Sequence, residues 1–95
     1  MFARITKYRI RAEAIDVVRA ELDRVRDEIV ALPGLKQFVN VLAEDGSGYV
    51  VALVDSREPS ALSRSKIEAL WARFAAYLEG PPTVESFAVV NDWKV

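Results

Sequence analysis

The chain has 95 residues, 13 basic against 14 acidic side chains for a formal charge of −1, and neither histidine nor cysteine. Its length suits one domain spanning residues 1–95, and the near-neutral balance gives no general attraction to nucleic-acid phosphates or anionic lipid. Without Cys or His there is no disulfide framework, thiolate nucleophile, Ser-His-Asp triad or imidazole acid/base. The commonest ligands for zinc, copper and haem iron are absent with them, so no metal site and no resident cofactor are expected.

The hydrophobic period changes along the chain in an informative order. Phe2 to Ile10 alternates as a strand does. Arg4, Lys7 and Arg9 interrupt that stretch, so it lacks the apolar core of a signal peptide. No window spans a bilayer, and a cytoplasmic protein is expected. Ala12 to Leu32 then reads as a helix, with Ile15, Val18, Leu22, Val25, Ile29 and Leu32 forming one stripe. Its charged face offers Arg19/Asp23 and Arg24/Glu28 as pairs one turn apart. Leu32-Pro33-Gly34 ends the helix, because the residue before Pro disfavours the helical region.

Leu35 to Ala43 and Tyr49 to Val54 read as strands joined by the turn Glu44-Asp45-Gly46-Ser47-Gly48. The second of these is apolar on both faces, so it belongs centrally in a sheet. Ser60 to Glu79 carries a second helix with Ile67, Leu70, Trp71, Phe74 and Leu78 inward and Lys66, Glu68, Arg73 and Glu79 outward. Gly80-Pro81-Pro82 stops it, and Val84 to Val90 forms the last strand.

The order β-α-β-β-α-β is the split βαβ arrangement, an α+β, ferredoxin-like fold with a four-stranded antiparallel sheet. Right-handed crossovers place both helices on one sheet face. The other face would then expose more apolar surface than monomers usually tolerate. A second copy of the chain is the simplest cover, so a homodimer through the sheet face is expected.

Several segments together resemble the dimeric α/β-barrel proteins of the antibiotic-biosynthesis-monooxygenase type. They are Phe2-Ala3-Arg4-Ile5-Thr6, Leu32-Pro33-Gly34-Leu35, Asp55-Ser56-Arg57-Glu58 and Pro81-Pro82-Thr83-Val84-Glu85, with a charged turn before Tyr49. The resemblance implies a ferredoxin-like protomer whose sheets meet face to face. It also implies a group that includes cofactor-independent oxygenases of polyphenolic rings, haem-degrading oxygenases and proteins without assigned activity. The haem-degrading branch holds iron by a helix-2 His, and Trp71 falls at that place here. Thr6 takes the place of that branch's strand-1 Asn, so haem cleavage by that route is not expected.

Candidate pocket residues are Arg4, Thr6, Asn40, Trp71 and Phe74. Arg4 and Thr6 share one face of a central strand, and a buried guanidinium requires a partner. That partner is either an anionic or phenolate ligand, or an acid such as Glu85 or one on a second chain. Asn40 interrupts an apolar strand, either to fix a ligand carbonyl or as an edge-strand amide bonded to water or backbone. Trp71 and Phe74 suit stacking on an aromatic ligand, with plain core packing as the alternative. Tyr8, Tyr49 and Tyr77 are further phenolic donors, and Trp93 is a tail anchor expected at the dimer interface.

Two functions fit these residues. One is a cofactor-independent monooxygenase acting on a small hydrophobic aromatic substrate. The other is a non-catalytic small-molecule-binding or structural dimeric domain. A regulatory amino-acid-sensing domain of the same topology is the weaker third. An open cavity with converging polar groups favours the enzyme, and a filled core favours structure.

Overall fold

The computed structural model describes residues 1–95 and has six principal elements in the expected order. They are β1 (Phe2–Arg9), α1 (Ile15–Val30), β2 (Leu35–Leu42), β3 (Ser47–Val54), α2 (Ala61–Ala72) and β4 (Thr83–Ala88). Short 3-10 turns at Ala12–Ala14 and Ala75–Tyr77 precede α1 and follow α2. The sheet is antiparallel throughout, in the order β2-β3-β1-β4. This is the ferredoxin-like α+β arrangement, with β1 and β3 central and Asn40 on an edge strand.

Both helices are shorter than their apolar patterns suggest. Ser60 caps α2 by accepting a hydrogen bond from the Ser63 amide at 3.1 Å. After Ala72 the bonds tighten to i→i−3: the Phe74 amide donates to the Trp71 carbonyl at 3.0 Å, and Tyr77 to Phe74 at 2.9 Å. Leu78 is already extended and bridges to Ile10. The inner face predicted through Leu78 is real, but its last turn is not α-helical. Gly34, at φ 79°, turns the chain from α1 into β2 in a backbone region that other residues avoid.

The predicted i,i+4 ion pairs do not form. Arg24 pairs instead with Glu21 at 3.2 Å, and Glu28 reaches Arg73 beyond α2 at 3.0 Å. The second pair ties the two helices together at the surface, where its contribution is small.

Register fixes which side chains share a face. Arg4 lies opposite Ala52 and Ser86, Thr6 opposite Val50 and Val84, and Tyr8 opposite Gly48. Across β3, Ala52 faces Phe38 and Val50 faces Asn40. This set looks toward the helices. The outward set is Ile5 between Val51 and Glu85, Ala3 between Leu53 and Phe87, and Lys7 between Tyr49 and Thr83. Glu85 is therefore on the far side of the sheet from Arg4, which removes it from the possible partners of that guanidinium.

The core is small: 12 of 95 residues are buried. Ile10, Ala14, Val18, Val25, Ile29 and Phe74 form its centre with the ring of Tyr8. Leu22, although mid-stripe on α1, is only partly buried. The space beside it is open.

Candidate functional site

That space is a cavity of about 270 Å³ between the helix-facing side of the sheet and the inner faces of α1 and α2. Its walls are mostly apolar, with Val18, Leu22 and Ile29 from α1 and Ile67, Leu70 and Trp71 from α2. Its floor is the alternate side chains of three strands, among them Arg4, Thr6 and Tyr8 from β1 and Asn40 from β2, and Asp55, Ser56, Ser60 and Ser63 also line it. Arg4, Thr6, Asn40, Trp71 and Phe74, the five residues singled out in the sequence, all line this one cavity. Phe74 is also 7% exposed core, so its role is shared between packing and wall.

Tyr8 is the residue whose importance the sequence understated. Its hydroxyl donates to Asn40 Oδ1 at 2.6 Å, crossing from β1 over β3 to the edge strand. Gly48 makes that crossing open. A Cβ at Gly48 would lie 2.6 Å from Tyr8 Cζ and Oη and 2.7 Å from the Val41 carbonyl oxygen. The sequence suggests Gly48 as the end of a turn, whereas it lies in β3 and clears space for the phenol. Trp71 meets the same ring edge-on, with centroids 5.8 Å apart and planes at 61°.

The electrostatics follow from these contacts. Burial pushes the Tyr8 phenol above its ordinary value, and the hydrogen bond to Asn40 offsets only part of that rise. Tyr8 is thus a neutral donor across the physiological range. Its donation occupies Asn40 Oδ1 and leaves the amide's N–H groups for another acceptor. Thr6 is 7% exposed and borders the cavity. Arg4 is half-buried and takes part in none of the chain's ion pairs or side-chain hydrogen bonds.

The other tyrosines lie elsewhere. Tyr49 is on the outward face and 43% exposed, and Tyr77 packs against the core from the 3-10 turn without lining the cavity. Trp93 is 84% exposed in the tail beyond β4. No three His, Cys, Asp or Glu side chains cluster closely enough to hold a metal ion, and no helix is long and apolar enough to cross a membrane.

No family model matches the chain, and no curated protein is found similar to it. Solved structures do match it over nearly its whole length. Rv0793 from Mycobacterium tuberculosis superposes with a TM-score of 0.70 at 18% identity, covering 98% of both chains. A structure described as an antibiotic biosynthesis monooxygenase gives a TM-score of 0.73 at 16% identity, covering 96% of this chain and 100% of the other. A dimeric ferredoxin-like protein from an uncultured marine organism gives 0.71 at 16% identity, over 99% and 91%. Likeness at these identities is likeness of fold. The chain thus has the fold of the antibiotic biosynthesis monooxygenase-like structures, the one its segments resemble.

Proposed function

We propose that the chain is a homodimeric, cofactor-independent monooxygenase that takes a small hydrophobic aromatic substrate between sheet and helices. The cavity carries this reading: an apolar enclosure of about 270 Å³ with Arg4, Thr6, Tyr8 and Asn40 converging on its floor. A purely structural domain would fill such space with side chains.

The chemistry that suits these groups is oxidation of an activated methylene flanked by aromatic rings. The methylene loses a proton to give a delocalised carbanion. The carbanion passes one electron to O₂, and the radical pair closes a C–O bond as a peroxide anion, which is then protonated. Loss of water breaks the O–O bond and the remaining C–H bond, leaving a ketone. One methylene and one O₂ give one carbonyl and one water, with all four electrons from the substrate.

The chain's part is to favour the anion and keep its surroundings dry. Arg4 stabilises the delocalised negative charge, Trp71 and Phe74 enclose the rings, and the neutral Tyr8 holds Asn40 in place. Anthrone is a suitable substrate. Oxygen uptake above the spontaneous rate is expected, with one O₂ consumed per anthraquinone formed and the enhancement lost in Arg4→Met. Saturable binding of anthrone without enhanced uptake would make the protein the non-catalytic binding domain instead.

The dimer belongs to the same reading. Val39, Val41, Tyr49 and Phe87 stand 39–49% exposed on the outward face. That face is apolar over adjacent strands, and the marine neighbour is described as dimeric. A face-to-face interface there should bury at least ~1,200 Å² in total.

A further inference from the structure

The floor of the cavity is unusual in the kind of hydrogen bond it offers. Arg4 can only donate. Asn40 accepts from Tyr8 at 2.6 Å, which takes one lone pair of its oxygen, and both of its amide N–H bonds are without a partner in the chain. Arg4 and Asn40 stand diagonally across β3: Arg4 is in register with Ala52 and Phe38, and Asn40 with Val50 and Thr6. The small Ala52 leaves the Arg4 side of the floor low, with the Asn40 amide one pair further along the sheet.

The charge balance points the same way. Arg4 has no counter-ion within the chain, even though Asp55 also borders the cavity. A groove on the α1 side shares Leu22, Ile29, Phe38 and Asn40 with the cavity wall and adds Arg19 beside Asp23, while its other cation, Arg26, pairs with Asp27 at 3.6 Å. A half-buried cation facing an apolar enclosure is stabilised when an anion completes it.

Resting on the reading of this cavity as a ligand site, we infer that its ligand is an organic oxyanion, a carboxylate or enolate on an apolar ring body. Arg4 selects the charge, and Asn40 receives an oxygen of the same group. Tyr8 is a positioning residue that fixes which side of the Asn40 amide the ligand meets.

The test compares acids with their own neutral amides: cinnamate against cinnamamide, and 2-naphthoate against 2-naphthamide. Calorimetry gives the affinities. Nitrogen-15 NMR locates binding through the indole signals of Trp71, which lines the cavity, and Trp93, which does not. Wild-type protein should bind the acids about tenfold more tightly than the amides, with the Trp71 signal moving and Trp93 still. Arg4→Met should remove that preference while retaining amide binding, and Tyr8→Phe should narrow it by freeing the Asn40 amide to flip. Equal affinity for acid and amide in wild-type protein would overturn the oxyanion inference and leave the cavity reading standing. Failure of all four compounds to move the Trp71 signal would overturn both.

Discussion

The two faces of the sheet are made from the same four strands but finished in opposite ways. The face beneath the helices sets Arg4, Thr6, Tyr8 and Asn40 among Phe38, Val50, Ala52 and Val54, while the face without cover sets Ile5, Val39, Val51, Leu53 and Phe87 beside Lys7 and Glu85. An antiparallel sheet with one wet side usually keeps the covered face apolar and the open face polar, and here both faces are mixed. The mixture separates two requirements. On the proposed reading, the polar groups under the helices meet a ligand, and the apolar groups left in the open meet a second copy of the chain. The small number of buried residues in the isolated chain, 12 of 95, fits a fold that is completed from both sides.

The strongest way to break that comparison is a charge at the centre of the open face. Val51 lies between Ile5 and Val39 in adjoining strands. Val51→Lys should weaken self-association by at least ~100-fold, because a buried unpaired ammonium costs several kcal/mol. Sedimentation velocity at micromolar concentration reads this directly. A wild-type species that stays near 10.6 kDa on concentration would show that the open face needs no partner.

A second comparison lies within the covered face. Val25 is fully buried, whereas Leu22, one turn earlier on the same stripe, borders the cavity. Val25→Ala should cost ~2 kcal/mol through lost burial and a residual void. Leu22→Ala removes more atoms but enlarges a space already open, so its cost should be ~1 kcal/mol or less. Urea unfolding of the two variants decides the order, and the reverse order would place the cavity elsewhere.

Gly48→Ala probes the floor itself. The added methyl meets Tyr8 and the Val41 carbonyl, so a loss of ~1–3 kcal/mol is expected together with the Tyr8–Asn40 hydrogen bond. Thermal unfolding measures the loss, and the Asn40 side-chain amide signals report the bond.

The smallest expected effect is in pH dependence. The folded-state pKa of Tyr8 is raised, so above the unfolded-state value of about 10 the unfolded chain releases the proton first. Stability should therefore be unaffected by this group below pH ~10 and should fall as pH rises beyond it. Comparing urea midpoints of wild-type and Tyr8→Phe protein between pH 8 and 11 isolates the term. Parallel curves would mean the phenol is not desolvated.

Legibility differed between these levels for physical reasons. Element order was plain because strand and helix periods differ, and the central position of β3 followed from apolar side chains on both of its faces. Asn40 was found as a polar interruption of an apolar strand, and Arg4 and Thr6 as polar residues sharing one face of a central strand. Of the partners open to Arg4, Glu85 is removed by strand parity: the β1–β4 register sets Glu85 opposite Ile5, and a one-residue slip would have reversed that. Tyr8–Asn40 was hidden for another reason. It spans two strand intervals and depends on a missing Cβ at Gly48, a contact that no spacing within either strand announces. The Arg24–Glu28 pair gave way to Arg24–Glu21 and Arg73–Glu28, while Arg19 and Asp23 form no ion pair and nothing in the structure accounts for that.

The strand order β2-β3-β1-β4 also constrains how the chain reaches its native state. β1 is made first, yet both of its neighbours come from later segments, β3 at Ser47–Val54 and β4 at Thr83–Ala88. Only β2 and β3 form a local hairpin. Every other pairing closes a long loop, so conformational entropy is lost before the contacts that compensate it exist. Folding should then be slow for a chain of this size, with the hairpin in place early and β1 docking late. Until β4 arrives, β1 has one open edge, and that unpaired backbone is the segment through which incomplete chains would aggregate.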